Sequence, residues 1–256
     1  MGKFSNLKQV LLLAFISLFI VSCSSDEKKL NLNQLSLTAG QSSKLIYDGI
    51  CTWSSDEPLI AEVDEAGNVT ANRVGETIIR ANDETCLVKV NPQFHTYMEP
   101  CMNWGASEYE ISNYMKGYQN LGKDDNTLSF SDYNNEFVYM YILENNSLSS
   151  SIIGTSFMEN GEEVIDFLME RYVPVEVDET NYTVVMVSID KETVIGITFN
   201  AISGIMMVLY TPYSNITTTK SQCIQYKPLL NKSIQTETTQ YNIEKLINKF
   251  RENSNQ

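Results

Sequence analysis

The sequence predicts an all-β sandwich followed by an α+β domain, in which a unit of one helix and three antiparallel strands is duplicated. Residues 30–91 show short apolar segments separated by turn residues, without a helical period. Residues 92–219 show two stretches of helical spacing, each followed by three strand-like segments. Hydrophobic residues at 43% and charged residues at 20% of 256 are typical of a folded globular protein.

The N-terminus has the pattern of an export signal. Lys3 and Lys8 precede an apolar run over 10–21 that only Ser17 interrupts. Twelve helical residues rise roughly 18 Å, which is too short for a hydrocarbon core about 30 Å thick. The pattern therefore predicts a cleaved signal peptide over residues 1–22.

The end of this segment, Ile20-Val21-Ser22-Cys23, resembles the lipobox of bacterial lipoproteins. The resemblance implies cleavage after Ser22 and a diacylglycerol on Cys23, and two or three acyl chains give stable membrane attachment. The alternative is an ordinary signal peptide whose cysteine joins a disulfide. Residues 23–29 are predicted to form an acidic tether.

Within the tether, Ser24-Ser25-Asp26-Glu27-Lys28-Lys29 resembles the acidic surface-export signal of Bacteroidetes lipoproteins. That resemblance implies a lipid anchor in the outer membrane, with the protein on the cell surface. The alternative is a solvated tether without an export role.

The strand pattern of residues 30–91 carries a second resemblance. Its motifs are similar, in order, to those of the group-2 bacterial immunoglobulin-like domain: Trp53-Ser54-Ser55-Asp56, Ile60-Ala61-Glu62-Val63, Gly67-Asn68-Val69-Thr70 and Gly75-Glu76-Thr77-Ile78-Ile79. The family implies a small sandwich that serves surface proteins as an adhesion module or spacer, without enzyme chemistry. Trp53 is predicted to lie in its core.

Four cysteines besides Cys23 allow three disulfide pairings. Cys51 and Cys86 both lie in the sandwich segment, and an exported location permits oxidation, so we expect them to bond. Such a bond would contribute about 4 kcal/mol in the chain-entropy model. Cys101 and Cys223 are then paired by elimination.

The second domain is predicted from two helices. The first follows the capping-box spacing of Ser107 and Glu110, and the second spans about 161–172. The predicted strands are 128–130, 137–143, 148–153, 182–189, 193–199 and 205–210. This element order resembles the β-lactamase-inhibitor protein fold and small outer-membrane assembly lipoproteins. Residues 220–256 are polar and include a short predicted helix.

The phrases Tyr97-Met98-Glu99-Pro100 and Trp104-Gly105-Ala106-Ser107 resemble uncharacterised Bacteroides lipoproteins, which implies no assigned reaction. Four tyrosines allow two interpretations, a sugar- or peptide-binding face or packing beneath a helix: Tyr109, Tyr133, Tyr139 and Tyr141.

No catalytic, cofactor or metal site is predicted. The single histidine, His95, has no hydrolase or zinc motif around it. Carboxylate pairs are the only abundant catalytic groups, and Glu162-Glu163 and Asp124-Asp125 are read as helix-start and loop residues.

Net charge excludes nucleic acid as a partner. Removal of residues 1–22 takes away two lysines and lowers the net charge from −14 to −16, which repels phosphate backbones. The preferred interpretation is a surface lipoprotein that binds a protein or glycan through its second domain, with the sandwich as spacer. The alternative is a carboxylate-dependent enzyme acting on surface glycans.

Overall fold

The computed structural model describes residues 29–178, 182–200 and 203–213, together with positions 245 and 248. The signal peptide, Cys23, Cys223 and nearly all of the polar C-terminal segment lie outside these residues. The described strands are β1 (Gln34–Thr38), β2 (Ser42–Lys44), β3 (Trp53–Ser55), β4 (Ala61–Val63), β5 (Asn68–Ala71), β6 (Gly75–Ala81), β7 (Glu84–Asn91), β8 (Gln119–Asp124), β9 (Thr127–Ser131), β10 (Phe137–Glu144), β11 (Ser147–Ser156), β12 (Tyr172–Asp178), β13 (Thr183–Ser188), β14 (Thr193–Asn200) and β15 (Ile205–Pro212). The described helices are α1 (Glu108–Tyr114) and α2 (Phe157–Met169).

The first seven strands form a sandwich of two sheets. One sheet has the order β1-β7-β6-β3 and the other β2-β5-β4. β1 runs parallel to β7, with Gln34 opposite Leu87 and Thr38 opposite Asn91, whereas the other pairs are antiparallel. The start of β1 and the end of β7 therefore lie at opposite ends of the sandwich.

An aliphatic core lies between the two sheets. Strand β7 alternates buried and exposed positions, as expected for a strand with one face on a core. Trp53 packs against this core, as predicted. Gly67 allows the close approach of the turn before β5, since a Cβ there would lie 2.5 Å from the Leu45 carbonyl oxygen and 2.8 Å from the Trp53 ring.

The remaining eight strands form one antiparallel sheet with the order β12-β13-β14-β15-β11-β10-β9-β8. Two four-strand meanders, β8 to β11 and β12 to β15, meet where β11 pairs with β15. We call this part the large-sheet domain.

Both helices pack on the same face of the large sheet, because their buried residues share one core cluster with that face. The predicted capping box is confirmed: the Ser107 hydroxyl accepts a bond from the Glu110 N–H, and the Glu110 carboxylate accepts from the Ser107 N–H at 2.8 Å. Helix α2 buries Val164, Ile165 and Leu168 as predicted. The segment between β7 and α1 also contributes buried side chains to this core.

The predicted α+β class is wrong, because the second domain is predominantly β. Its two described helices have 7 and 13 residues, whereas the sheet has eight strands rather than six. The two missing strands are the edge strands: the sequence predicts no strand at β8, and it places the start of β12 at the end of the second helix. Each contains an irregularity, at Asn120/Gly122 and at Pro174/Glu176, and a bulge interrupts the alternation that identifies a strand.

Candidate functional site

A cluster of hydrogen-bonded, largely buried charged side chains joins the sandwich to the large-sheet domain at the end of helix α2. The Glu170 side chain is only 6% exposed. Its carboxylate accepts hydrogen bonds from the backbone N–H groups of Gln93, at 2.9 Å, and Phe94, at 3.1 Å. These two residues directly follow β7, so the carboxylate holds the connecting chain at its exit from the sandwich.

Arg171 completes this arrangement, which we call the junction clamp. Its guanidinium donates to the Glu170 carboxylate, to the Phe167 carbonyl oxygen at 3.0 Å and to the Phe94 carbonyl oxygen at 3.1 Å. It also lies 3.6 Å from the centroid of the Phe167 ring, a cation–π arrangement. Its donors are therefore engaged within the protein, which indicates a structural role.

The sandwich contacts the same segment directly. The Val74 N–H donates to the Glu170 carbonyl oxygen at 2.7 Å, and Arg73 Nε donates to the Tyr172 carbonyl oxygen at 3.4 Å. The Tyr172 hydroxyl bonds the Glu99 carboxylate, and burial, followed by the charge of Glu99, raises the pKa of this tyrosine well above its usual value. These contacts fix the sandwich against the large-sheet domain.

Three cavities adjoin the junction clamp: one of about 500 Å³ beside Arg171 and two that border the chain leaving β7. The first of these two, of about 550 Å³, lies between the domains and includes Arg73, Asp166 and Glu170 in its lining. The other, of about 440 Å³, lies over the connecting chain and is lined by residues including Tyr118 and Asp132. Concave sites at domain boundaries are common places for ligands.

The candidate carboxylates do not meet at any of the three cavities. Glu162, Glu163 and Asp124 are exposed, and Asp125 lies in a turn with φ of 48°. None of the four lines the three cavities. No observation therefore favours the glycan-hydrolase alternative.

His95 and the metal-binding residue types give no site in the part of the chain that the structure describes. His95 is exposed, with Nδ1 3.0 Å from the Phe94 carbonyl oxygen. Among the described residues, no three His, Cys, Asp or Glu side chains are grouped so that they could hold a metal ion.

The tyrosines proposed as a binding face are divided between two environments. Tyr139 and Tyr141 are buried beneath α1 and the connecting chain, as the packing interpretation expects. Tyr109 and Tyr133 are each 81% exposed. The four rings therefore do not form a shared binding face.

The predicted Cys51–Cys86 bond is not present in the structure, where both residues are free thiols. Strand β6 lies between β3 and β7, and two strand spacings amount to about 10 Å. A disulfide requires Cα atoms within about 7 Å, so the sheet order disfavours this pairing. The Cys101–Cys223 pairing stays a prediction because Cys223 lies outside the described residues.

The anchor at Cys23 likewise lies outside the described residues and stays a prediction. No helix in the described ranges is both long and apolar enough to span a membrane.

Sequence reasoning also missed the loop between β2 and β3, at the end of the sandwich where β1 begins. Ile46 is 59% exposed and Ile50 is 94% exposed, and both line a concavity of about 330 Å³ with Tyr47 and Trp53. The apolar segment 45–47 forms no regular strand there. Leu45 is buried in the sandwich core, whereas Ile46 and Ile50 face solvent.

The comparison with curated proteins finds no match. Domains 4–9 of surface layer protein SbsC match with 13% identity and a TM-score of 0.20, over 72% of this chain and 27% of that one, so this chain spans about a quarter of its length. Domains 5–6 of S-layer protein SbsC match with 14% identity and a TM-score of 0.19, over 72% of this chain and 82% of that one. TM-scores this low do not relate the folds.

The comparison with protein-family models matches a segment within the sandwich. Residues 47–85 match the model of the intimin immunoglobulin-like domain, and they run from the exposed loop to the start of β7. The assignment to the group-2 family stays a prediction. The sandwich is a bacterial immunoglobulin-like domain.

Proposed function

We propose that the protein is a lipid-anchored cell-surface binding module in which the immunoglobulin-like sandwich holds the large-sheet domain away from the membrane. The observation that carries this proposal is the position of the two connections of the sandwich. The tether enters before β1, and the large-sheet domain follows β7, at the opposite end. Strand β7 has eight residues and spans roughly 26 Å, so the sandwich separates its two connections by about that distance.

The junction clamp supports a spacer role. The sandwich can hold the large-sheet domain at a fixed distance from the membrane only if the two domains are rigidly connected. Glu170, Arg171 and Val74 make that connection through buried and backbone hydrogen bonds. The lipobox resemblance at Cys23 supports anchoring at the near end.

The large-sheet domain is the proposed interaction part. The cavity of about 440 Å³ is lined by residues of this part of the chain and mixes polar and aromatic side chains, which suit a protein or glycan ligand, and the mature charge of −16 disfavours polyanions.

Anchoring and exposure are tested in bacterial cells that export lipoproteins. We expect an alkynyl palmitate analogue to label the natural chain and not Cys23→Ala, and external protease to digest the labelled protein on intact cells. An unlabelled natural chain, or complete protection from the protease, would contradict the proposal. Glycan and protein arrays probed with residues 24–256 then test ligand binding.

A further inference from the structure

The loop at the tether end of the sandwich exposes two isoleucines to solvent. It comprises residues 45–52, in which Leu45 is buried in the sandwich core whereas Ile46 and Ile50 are 59% and 94% exposed. Leu32, beside the tether, is 39% exposed. Exposed apolar patches mark sites of protein or membrane contact.

The tether leads directly to this loop. The Asn31 N–H donates to the Ile46 carbonyl oxygen at 2.9 Å, and the Ile46 N–H donates to the Asn31 side-chain oxygen at 2.7 Å. Leu30 forms a β-bridge with Tyr47. An extended chain covers at most about 3.5 Å per residue, so the seven steps from Cys23 to Leu30 reach roughly 25 Å. A lipid on Cys23 therefore keeps the loop near the membrane surface.

The far side of the loop is held in place as well. The Asn82 side chain, in the turn between β6 and β7, accepts from the Thr52 N–H at 3.0 Å and donates to the Ile50 carbonyl oxygen at 3.3 Å. Asn82 itself has a φ of 52°, a left-handed conformation that asparagine tolerates. Ile50 is consequently presented at the end of the sandwich that lies opposite the junction clamp.

The charged residues around the loop do not favour anionic over neutral lipids, because their charges balance. Lys29 and Lys44 are exposed near the loop, and Asp48 and Glu65 offset them. Contact with a membrane would therefore depend on the apolar side chains, which enter the boundary between headgroups and acyl chains.

We propose that this loop is a membrane-contact site: Ile46 and Ile50 insert into the phospholipid surface that carries the anchor and so hold the sandwich upright on it. This inference rests on the proposed lipid anchoring at Cys23. The two claims are separable because the contact can be tested on a chain tethered by other means.

The test uses residues 24–256 with an N-terminal hexahistidine in place of the acylated cysteine, bound to phosphatidylcholine vesicles that contain a nickel-chelating lipid. Tryptophan reports contact through quenching by lipids brominated near the headgroup. Ile50→Trp places the reporter at the loop, and Leu59→Trp, at an exposed position lining the junction cavity, is the matched control. The natural chain gives the background from Trp53 and Trp104.

Relative to this background, we expect the added emission of Ile50→Trp to fall roughly twofold on brominated vesicles, since apolar groups at a membrane surface enter it by about 5 to 10 Å and so reach the depth of shallow bromines. The emission of Leu59→Trp stays unchanged. Equal emission of Ile50→Trp on brominated and plain vesicles, with the protein bound, would overturn the membrane contact. Absence of acylation in cells would instead overturn the proposed anchor and leave this result standing.

Discussion

The two cores of the molecule are built from different side chains. The sandwich core is aliphatic, with Leu45, Val69 and Ile79 fully buried and no tyrosine among its described core residues. The core of the large-sheet domain contains buried tyrosines whose hydroxyl groups are paired, as in the 2.6 Å bond between Tyr97 and Tyr210. The stability of an aliphatic core depends on how closely its side chains pack. The stability of a core with tyrosines also depends on a hydrogen-bond partner for each buried hydroxyl group. Substitutions therefore act on the two domains through different forces.

The junction clamp connects the two cores, and its removal has the largest expected effect. Glu170→Ala leaves the Arg171 guanidinium and two backbone N–H groups without their buried acceptor. We expect about 4 kcal/mol loss in the free energy of unfolding of the large-sheet domain, since a broken buried ion pair costs 3 to 5 kcal/mol. Calorimetry should then resolve the two domains as separate transitions.

The control for this substitution is Glu163→Gln, on the exposed face of the same helix. It should change the stability by less than about 0.5 kcal/mol. An equally small effect of Glu170→Ala would show that the clamp does not connect the domains.

Gly67→Ala tests shape dependence in the sandwich. The added Cβ meets the Leu45 carbonyl oxygen at 2.5 Å and the Trp53 ring at 2.8 Å, and the φ of +82° is unfavourable for alanine. We expect a loss of about 3 kcal/mol, from overpacking and backbone strain together. Urea unfolding followed by Trp53 fluorescence measures it.

Gly40→Ala separates these two contributions. Gly40 has a φ of +83°, and its added Cβ would meet no atom within 4 Å. The loss should be only about 1 kcal/mol, from strain alone. Equal losses at the two glycines would mean that close packing at Gly67 is unimportant.

Alkaline pH tests the tyrosine core. Burial raises the pKa of Tyr97 and Tyr210 above the usual value near 10, so the unfolded chain releases protons that the folded chain retains. Stability is complete below pH 10 and falls above it by about 1.4 kcal/mol per pH unit for each tyrosine. The pair thus accounts for roughly 2 kcal/mol between pH 10 and 11, because each tyrosine of the unfolded chain is already half ionised at pH 10. Urea midpoints of the natural chain and of the Tyr97→Phe/Tyr210→Phe double variant should diverge in this window, and parallel curves would contradict the argument.

Tyr97→Phe alone tests hydroxyl pairing at neutral pH. It leaves the Tyr210 hydroxyl buried without its partner, and we expect a loss of about 1 to 2 kcal/mol. Adding Tyr210→Phe removes the unpaired group and should recover part of that loss. A double variant that loses the sum of both single effects would show that the two hydroxyls act independently.

The sequence predicted the sandwich better than the large-sheet domain because several strands of the large sheet, including β8 and β14, show no alternation. Strand β7 has one buried face, whereas all eight positions of β14 are buried, which leaves no alternation along the strand. Six strands of the large sheet were nevertheless located from apolar runs. The domain class failed because the bulged edge strands β8 and β12 were not recognised.

The junction clamp was not predicted, although one local signal exists. Glu170 and Arg171 both lie at the end of the predicted second helix, 161–172, and the sequence indicates no bonding partner for either. A glutamate at the C-terminal end of a helix opposes the helix dipole, so it requires compensation elsewhere. Here the compensation comes from the N–H groups of Gln93 and Phe94, which are 77 and 76 residues away along the chain. Such long-range pairing cannot be deduced from local spacing.

Thiol labelling of the folded protein tests the sheet order without altering stability. Cys51 is half-buried in the apolar loop, whereas Cys86 lies in the sandwich core, where burial raises the pKa of its thiol. Both effects reduce the reactivity of Cys86, because the accessible thiolate is the reacting species. We expect a maleimide to modify Cys51 within the native protein and Cys86 only after unfolding, as measured by peptide mass spectrometry. If neither cysteine reacts without prior reduction, the two are joined, and β3 and β7 must lie closer together than the order β7-β6-β3 allows.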